Sequence, residues 1–253
     1  MRRTLPVEVM PQPDESTCGP TCLHAVYRYF GESIALETVV AEAPTLEDGG
    51  TLAVLLGTHA LGLGYAATVY SYNLRLLDPT WFRNGAVAVD LIRKLDAQAQ
   101  LKRDPKRQLA SHAYAEFARR GGELRMMDLS PELIAGYLEQ GRPLLAGVSA
   151  TYLYACAREL PDGTYDDLAG EPQGHFVVLT GVRDDRVRVA DPWQPSPDEP
   201  SSASLDPGEA ARASRSYWLP MRHLLHSIML GVLTYDGNLL AIAPKGAPAL
   251  PGP

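Results

Sequence analysis

The patterns that predict helices and those that predict strands occupy different parts of this chain. Apolar residues recur at helical spacing after Cys18, and further helical segments are predicted at about 34–43 and 51–62. From Pro143 onward the pattern changes to short runs of apolar and β-branched residues. The strands predicted there are Leu144–Val148, Tyr152–Cys156, Phe176–Val182, Val187–Ala190 and Leu239–Ala243. Helices followed by strands predict an α+β fold with an antiparallel sheet.

The middle of the chain, about residues 73–140, is predicted to be a helical insertion in a single domain that spans residues 1–243. Helical periodicity recurs in this segment. It also carries a basic run, which consists of Arg93, Lys94, Lys102, Arg103, Lys106 and Arg107. We interpret this run as a solvated helix face, because a nucleic-acid surface would require exposed aromatic residues between the charges. Residues 244–253 are predicted to be a flexible tail.

The composition excludes several classes of function. Hydrophobic residues make up 45% and charged residues 21% of the 253, so the chain can build an ordinary buried core. A net charge of −7 argues against a protein that holds nucleic acid or an anionic membrane. No window approaches the roughly 18 apolar residues of a membrane-spanning helix. The start of the chain lacks the apolar stretch of a secretory signal, and with three cysteines this predicts a reducing, cytoplasmic compartment.

Cys18 stands where an extended start of the chain turns into the first predicted helix. Thr17 is a suitable N-cap for that helix, and Gly31 is a suitable C-terminal residue. The unpaired amides and the dipole at a helix N-terminus favour the thiolate, which is the nucleophilic form of cysteine. Gln12, six residues earlier, carries an amide that can donate to the oxyanion formed when a thiolate attacks a carbonyl. Cys18 is therefore the candidate nucleophile, and Gln12 is the candidate oxyanion donor.

A nucleophilic cysteine requires a histidine that acts as base and acid, and the sequence contains six histidines. His175 follows Gly174 and opens the predicted strand Phe176–Val182, which places it at the rim of a sheet, where it can face a cleft. The other five lie on helical segments, and we interpret them as packing or surface residues. They are His24, His59, His112, His223 and His226. His175 is therefore the candidate base.

Asp191 ends the strand that returns from the turn at Asp184-Asp185. It is the candidate acid that orients His175. A two-residue turn would place His175 and Asp191 on opposite faces of the hairpin. A three-residue turn or a bulge would bring Val177 opposite Asp191, and His175 would become a diagonal neighbour of Asp191, about 7 to 8 Å away between α-carbons. We therefore predict the odd turn.

Two blocks of sequence surround these candidate residues. The first is QPDESTCGPTC from Gln12, and the second is GHFVVL from Gly174, followed by VADP from Val189. They resemble the bacteriocin-processing, double-glycine-leader family of papain-like cysteine peptidases and its stand-alone bacterial relatives. The resemblance implies a papain-like fold, with a helical N-terminal part packed on an antiparallel β-sheet, and a peptide or protein substrate. It implies the same roles for Cys18, His175, Asp191 and Gln12.

The same residues could also form a metal site or a disulfide, or serve a function other than peptide hydrolysis. A zinc site is disfavoured because Cys18 and Cys22, at i and i+4 on one helix, lack the close spacing of zinc knuckles. A disulfide between them is disfavoured in a reducing compartment. No cofactor or metal is predicted. Acyl or γ-glutamyl transfer, as in the similar phytochelatin synthase-like proteins, is an alternative, since an amine can capture an acyl-enzyme. A non-catalytic module that binds a peptide in its cleft is another.

The segment Pro192–Ser214 leaves directly from Asp191 and contains few apolar residues. Long loops of this kind often act as lids, so we predict a mobile flap over the cleft. A disordered surface loop without contact to substrate is the alternative. The sequence sets neither the cleavage specificity nor the oligomeric state.

Overall fold

The structure is a computed structural model that describes residues 2–45, 50–193, 215–235 and 237–247. Its helices are Cys18–Tyr29 (α1), Leu36–Glu42 (α2), Ala53–Gly62 (α3), Leu91–Leu101 (α4), Pro105–Arg119 (α5), Pro131–Glu139 (α6), Ala150–Tyr154 (α7) and Met221–Leu230 (α8). Its strands are Arg2–Thr4 (β1), Tyr65–Ser71 (β2), Phe82–Arg83 (β3), Ala86–Val87 (β4), Glu123–Arg125 (β5), Leu144–Ser149 (β6), Gly174–Arg183 (β7), Arg186–Ala190 (β8), Ser216–Pro220 (β9) and Asn238–Pro244 (β10). The chain therefore has the predicted α+β class.

The strands form one sheet that is dominated by antiparallel pairs. Within the described residues the strand order is β3-β4-β5-β2-β10-β6-β7-β8-β9, and β1 pairs with the end of β7 that extends beyond β6. The pair of β2 and β5 is parallel, and the other described pairs are antiparallel. β6 is buried along its whole length, and β7 and β10 are buried at nearly every position. These central strands carry the core, and α1 packs directly on β7.

The middle segment, about residues 73–140, is mostly helical but also contains strands that the sequence analysis missed. β3, β4 and β5 extend the sheet beyond β2, and each has two or three residues. Strands this short show no clear alternation, so a periodicity argument does not detect them. α5 packs closely on α3, because a Cβ on Gly57 would lie 2.6 Å from the ring of Phe117. The assignment of this segment as an insertion in a domain of residues 1–243 stays a prediction.

The prediction of a strand at Tyr152–Cys156 is wrong, because the chain forms the short helix α7 directly after β6. The hydroxyl of Ser149, the last residue of β6, accepts a hydrogen bond from the amide of Tyr152 at 3.4 Å and so caps the helix. Ala155 ends the helix in the left-handed conformation, with φ of 52°. Periodicity does not separate a strand from a helix in so short an apolar run, so the capping serine is the informative signal.

The hairpin of β7 and β8 contains a bulge, which lies within the strands and not at the turn. The turn is the two-residue Asp184-Asp185, so the prediction of a three-residue turn is wrong. Near the turn the pairing keeps the register of a two-residue turn. At Thr180 the register shifts by one residue, and Val178 lies opposite Ala190. Of the two predicted sources of the shift, a three-residue turn and a bulge, the hairpin therefore contains the bulge.

Parts of two predicted segments lie outside the described residues. The predicted flap, Pro192–Ser214, is described as far as Trp193, and residues 194–214 lie outside. In the predicted tail, Pro244 ends β10 and residues 248–253 lie outside. None of the helices in the described ranges combines the length and the apolar character that crossing a bilayer requires.

Candidate active site

Cys18 is the first residue of α1, and Cys22 fixes this helix to the sheet one turn later. The thiol of Cys22 donates to the carbonyl oxygen of Phe176 at 3.2 Å. Because residues i and i+4 lie on the same face of a helix, Cys18 reaches the rim of the sheet beside His175, which precedes Phe176. The side chain of Cys18 lies close enough to that of His175 to raise the pKa of the imidazole. Both are buried, with exposed fractions of 8% and 5%.

The N-terminus of α1 leaves its first amides uncapped. Thr17 occupies the predicted N-cap position, but its side chain makes no hydrogen bond to the described amides of α1. Its hydroxyl instead donates to the carbonyl of Asp14 at 3.1 Å. The amide of Thr21 makes the first helical hydrogen bond, to the carbonyl of Thr17 at 3.0 Å. The amides of Cys18 and Gly19 precede this bond, and amides in that position stabilise negative charge.

His175 and Asp191 form a buried pair at the ends of β7 and β8. Nε2 of His175 lies 2.9 Å from Oδ1 of Asp191, which leaves Nδ1 as the ring nitrogen for Cys18. Burial alone would lower the pKa of His175, but the charge of Asp191, their hydrogen bond and the contact with Cys18 outweigh it and raise the pKa to about 10. Burial alone would raise the pKa of Asp191, but the charge and the hydrogen bond of His175 hold it below its usual value. Both shifts favour an imidazolium paired with a carboxylate over the neutral pair.

The carboxylate of Asp191 accepts four hydrogen bonds. Oδ1 accepts from Nε2 of His175 at 2.9 Å and from the backbone amide of Trp193 at 3.0 Å. Oδ2 accepts from the hydroxyls of Tyr154 and Tyr217, each at 2.7 Å. Four bonds use the full acceptor capacity of an ionised carboxylate. The burial of this charge is therefore compensated on both oxygens.

Neither Tyr154 nor Tyr217 is among the catalytic residues that the sequence predicts. Tyr154 ends α7, the helix that the sequence pattern does not predict. Tyr217 lies on β9 opposite Val189, so it is a diagonal neighbour of Asp191, which directly follows β8. Tyr217 is identified by the pairing of β8 with β9. No local sequence pattern in β8 or β9 predicts that these two strands pair.

Gln12 lies at the margin of the site. Its backbone amide donates to the carbonyl of Pro192 at 2.9 Å, which holds the N-terminal segment next to Asp191. Its side-chain Nε2 donates to the carbonyl of Asp14 at 2.9 Å. A side-chain amide nitrogen carries two N–H groups, so the second can serve another acceptor. The role of Gln12 as oxyanion donor stays a prediction.

The other five histidines lie outside this site. Their contacts and exposure fit packing and surface roles: His24 contacts the carbonyl of Ile34, His59 the hydroxyl of Tyr27, His223 the carbonyl of Leu153 and His226 the hydroxyl of Tyr152, and His112 is exposed. No group of three or more His, Cys, Asp or Glu side chains in the described part of the chain is arranged to hold a metal ion.

Comparison with solved structures identifies the fold. A C39-like peptidase from Bacillus anthracis matches with a TM-score of 0.51 and 13% sequence identity, over 97% of this chain and 98% of that chain. The chain therefore has the papain-like fold of the C39-like peptidases. At 13% identity the likeness extends to the fold alone, so any activity has to be argued from the site itself.

Two further solved structures are similar at lower TM-scores. A double glycine motif protease from an AMS/PCAT transporter, solved with its leader peptide, has a TM-score of 0.44 and 15% identity, over 97% of this chain and 99% of that one. The peptidase domain of Streptococcus ComA, a bifunctional ABC transporter of a quorum-sensing pathway, has a TM-score of 0.43 and 13% identity, over 94% of this chain and 99% of that one. No family model and no curated protein matches the chain.

Proposed function

We propose that this protein is a cysteine peptidase that hydrolyses peptide or amide bonds. Its proposed residues are Cys18 as nucleophile, His175 as base and acid, Asp191 as the group that orients His175, and Gln12 as an oxyanion donor. The observation that carries the proposal is the contact between Cys18, at a helix N-terminus, and a His175 that is already paired with a buried carboxylate. A thiol, an imidazole and a carboxylate in series are the groups that nucleophilic acyl transfer requires.

The charge state of the site defines the start of the reaction. Because its pKa is raised to about 10, His175 is protonated at neutral pH, and an adjacent imidazolium and a helix N-terminus stabilise a thiolate on Cys18. The thiolate forms a bond to the substrate carbonyl carbon, and the negative charge moves to the carbonyl oxygen. When this tetrahedral intermediate collapses, the C–N bond breaks and His175 gives its proton to the departing amine.

Deacylation returns the proton to His175. A water molecule loses a proton to the neutral imidazole as its oxygen forms a bond to the acyl carbon. The second tetrahedral intermediate then expels the Cys18 thiolate, and the carboxylic acid product leaves. Throughout the cycle Asp191 accepts the hydrogen bond from Nε2 of His175, so that Nδ1 is the nitrogen that exchanges protons.

The proposed donors to the oxyanion are the backbone amide of Cys18 and the second N–H of Gln12. The Cys18 amide precedes the first helical hydrogen bond, and no side-chain cap from Thr17 competes for it. The segment that carries Gln12 is tied to Pro192, directly after Asp191. Donors that are fixed before the charge develops contribute most to transition-state stabilisation, and both are held by backbone hydrogen bonds.

The proposed activity is tested by incubating the purified protein with a peptide library and identifying the products by mass spectrometry. The wild type is expected to cleave library peptides, and Cys18→Ala is expected to cleave none. Cys156→Ala is the matched control, since it removes a thiol outside the site. A parallel incubation with an added amine separates hydrolysis from acyl transfer by the mass of the product. No cleavage by the wild type, or cleavage that survives Cys18→Ala, would contradict the proposal.

We also propose a cytoplasmic location, because a thiol nucleophile must be in its reduced form and the cytoplasm keeps thiols reduced. Cys18, Cys22 and Cys156 are all free of disulfide bonds in the structure. Fractionation of cells that express the tagged full chain tests this proposal, and its recovery from a secreted fraction would contradict it.

A further inference from the structure

Two tyrosine hydroxyls bind Asp191, and the reaction described above does not use them. Tyr154 and Tyr217 both donate to Oδ2 at 2.7 Å, a typical length for a good O–H···O hydrogen bond. Oδ1 faces His175 and also accepts from the amide of Trp193. One oxygen of the carboxylate is thus bound by two tyrosines, while the other is presented to the histidine.

The two tyrosines belong to separate elements of the fold. Tyr154 is the last residue of α7, whose first turn is capped by Ser149 at the end of β6. Tyr217 lies on β9, where it pairs with Val189 and lies diagonal to Asp191. The carboxylate is therefore held from two directions, and rotation about its Cβ–Cγ bond would break both hydroxyl contacts. This arrangement fixes the plane of the carboxylate more firmly than either hydroxyl alone.

The ring of Tyr154 also shields the pair of His175 and Asp191. It stacks on Trp193, with ring centroids 5.1 Å apart and an angle of 26°, and its centroid lies 5.9 Å from that of His175. Burial and the charge of Asp191 raise the pKa of Tyr154 well above its usual value. The hydroxyl therefore stays protonated at neutral pH and remains a donor.

We propose that Tyr154 and Tyr217 are positioning residues: their hydroxyls lock the carboxylate of Asp191 in the rotation that presents Oδ1 to Nε2 of His175 and so keep Nδ1 towards Cys18. The catalytic consequence rests on the proposed peptidase function. The hydrogen-bonding role itself is testable without a substrate, because the rate at which iodoacetamide alkylates Cys18 reports the thiolate that the imidazolium stabilises.

The test removes one hydroxyl at a time. Tyr154→Phe and Tyr217→Phe are each expected to lower kcat roughly tenfold, as for the loss of one hydrogen bond to a charged group, and to slow the alkylation of Cys18. KM is expected to stay unchanged, because both hydroxyls point at Asp191. Tyr29→Phe is the matched control, since its half-buried hydroxyl donates to the carbonyl of Gly141 at 2.9 Å, outside the site. It is expected to leave kcat and the alkylation rate unchanged.

A double-mutant cycle shows whether the tyrosines act through Asp191. In an Asp191→Ala background, the two Tyr→Phe changes are expected to slow alkylation no further, and Asp191→Leu, which also lacks a hydrogen-bond acceptor, replaces this background if the alanine variant does not fold. The proposal would be overturned if the Tyr→Phe changes slowed alkylation of Cys18 equally with and without Asp191. It would also be overturned if they did not slow alkylation in the wild-type background. If the wild type cleaves no peptide but the alkylation cycle shows coupling, the peptidase function fails and the positioning role stands. If the wild type cleaves peptides but the alkylation cycle shows no coupling, the peptidase function stands and the positioning role fails.

Discussion

Nε2 of His175 lies 2.9 Å from Oδ1 of Asp191, although the two-residue turn between their strands would by itself place the two residues on opposite faces of the hairpin. The bulge at Thr180 shifts the pairing by one residue, so that Val177 falls opposite Asp191 when the register is continued. His175, two residues before Val177, then shares a face with Asp191. One β-bulge therefore creates the geometry on which the proposed triad depends.

Replacing Asp191 by asparagine is expected to leave the fold intact and to lower turnover by roughly 10⁴-fold, the loss seen for this change in the serine-protease triad. The substitution keeps the shape of the side chain but removes the charge that stabilises the imidazolium of His175. Steady-state kinetics and circular dichroism of the variant test this expectation. A mild loss of turnover in a folded variant would remove Asp191 from the proposed mechanism.

Cys18 is expected to be the most reactive thiol of the protein. It combines a helix N-terminus with a position beside His175, whereas burial raises the pKa of the Cys22 thiol well above its usual value. Limited iodoacetamide labelling at neutral pH, followed by peptide mapping, measures the order of modification. If Cys22 or Cys156 is modified before Cys18, the assignment of the nucleophile is wrong.

Local patterns were sufficient to select the candidate residues. The sequence predicts that a helix starts at Cys18, and the structure begins α1 at that residue. It also predicts that His175 and Asp191 lie at strand ends, and β7 and β8 place them in hydrogen-bonding contact. Such signals depend on residues close in sequence, which is why a single sequence reveals them.

Features that depend on distant parts of the chain were not predictable in the same way. The local sequence leaves a three-residue turn and a bulge as alternative sources of the register shift, and the structure has the bulge at Thr180, next to the part of β7 that pairs with β1. The hydroxyl of Tyr217 reaches Asp191 because β9 pairs with β8, two strands far apart in sequence. Tyr154 required the helix α7, which begins at a serine cap that the strand prediction overlooked. The position of each of these features depends on contacts between distant parts of the chain, so the propensities of neighbouring residues do not predict it.

Gln12→Ala is expected to lower turnover by about 10² to 10³-fold, the usual effect of losing one oxyanion donor. Gln12→Glu is expected to be worse, because it places a negative charge beside a developing oxyanion. Both variants keep the backbone amide that donates to Pro192, so the N-terminal segment stays in place. Steady-state kinetics on a cleaved peptide measure the two losses. Wild-type activity in both variants would show that Gln12 is a loop residue without a catalytic role.

Gly181→Ala is expected to destabilise the fold by about 1 to 3 kcal/mol, the usual range for overpacking. β1 pairs with β7 at this residue, and an added Cβ would lie 2.8 Å from the carbonyl oxygen of Arg3. Gly136→Ala is the control, because an added Cβ at this helical position in α6 meets open space and should stabilise the fold by up to about 1 kcal/mol. Urea unfolding measures both changes, and a loss of stability that is equal in the two variants would contradict the close approach of β1.

The stability of the fold is expected to depend on pH through His175. Its pKa is about 10 in the folded protein and 6.5 in the absence of the fold, so between these values the folded state holds a proton that the unfolded state lacks. The contribution of His175 to the free energy of unfolding is therefore complete below pH 6.5 and is lost as the pH rises through 10. The free energy of unfolding is expected to fall through this effect by at most about 1.4 kcal/mol per pH unit.

This dependence is best measured in a Cys18→Ala background, where the neighbouring thiol cannot titrate. Urea unfolding of Cys18→Ala is compared with that of Cys18→Ala/His175→Gln at several pH values from neutral to alkaline. The difference in free energy of unfolding is expected to be largest at the lowest of these values and to shrink as the pH rises, because the imidazolium loses its proton and Asp191 its charged partner. A difference that stays constant with pH would mean that Asp191 alone does not keep His175 protonated in the folded protein, and would contradict the stabilisation of the imidazolium that is assigned here to Asp191.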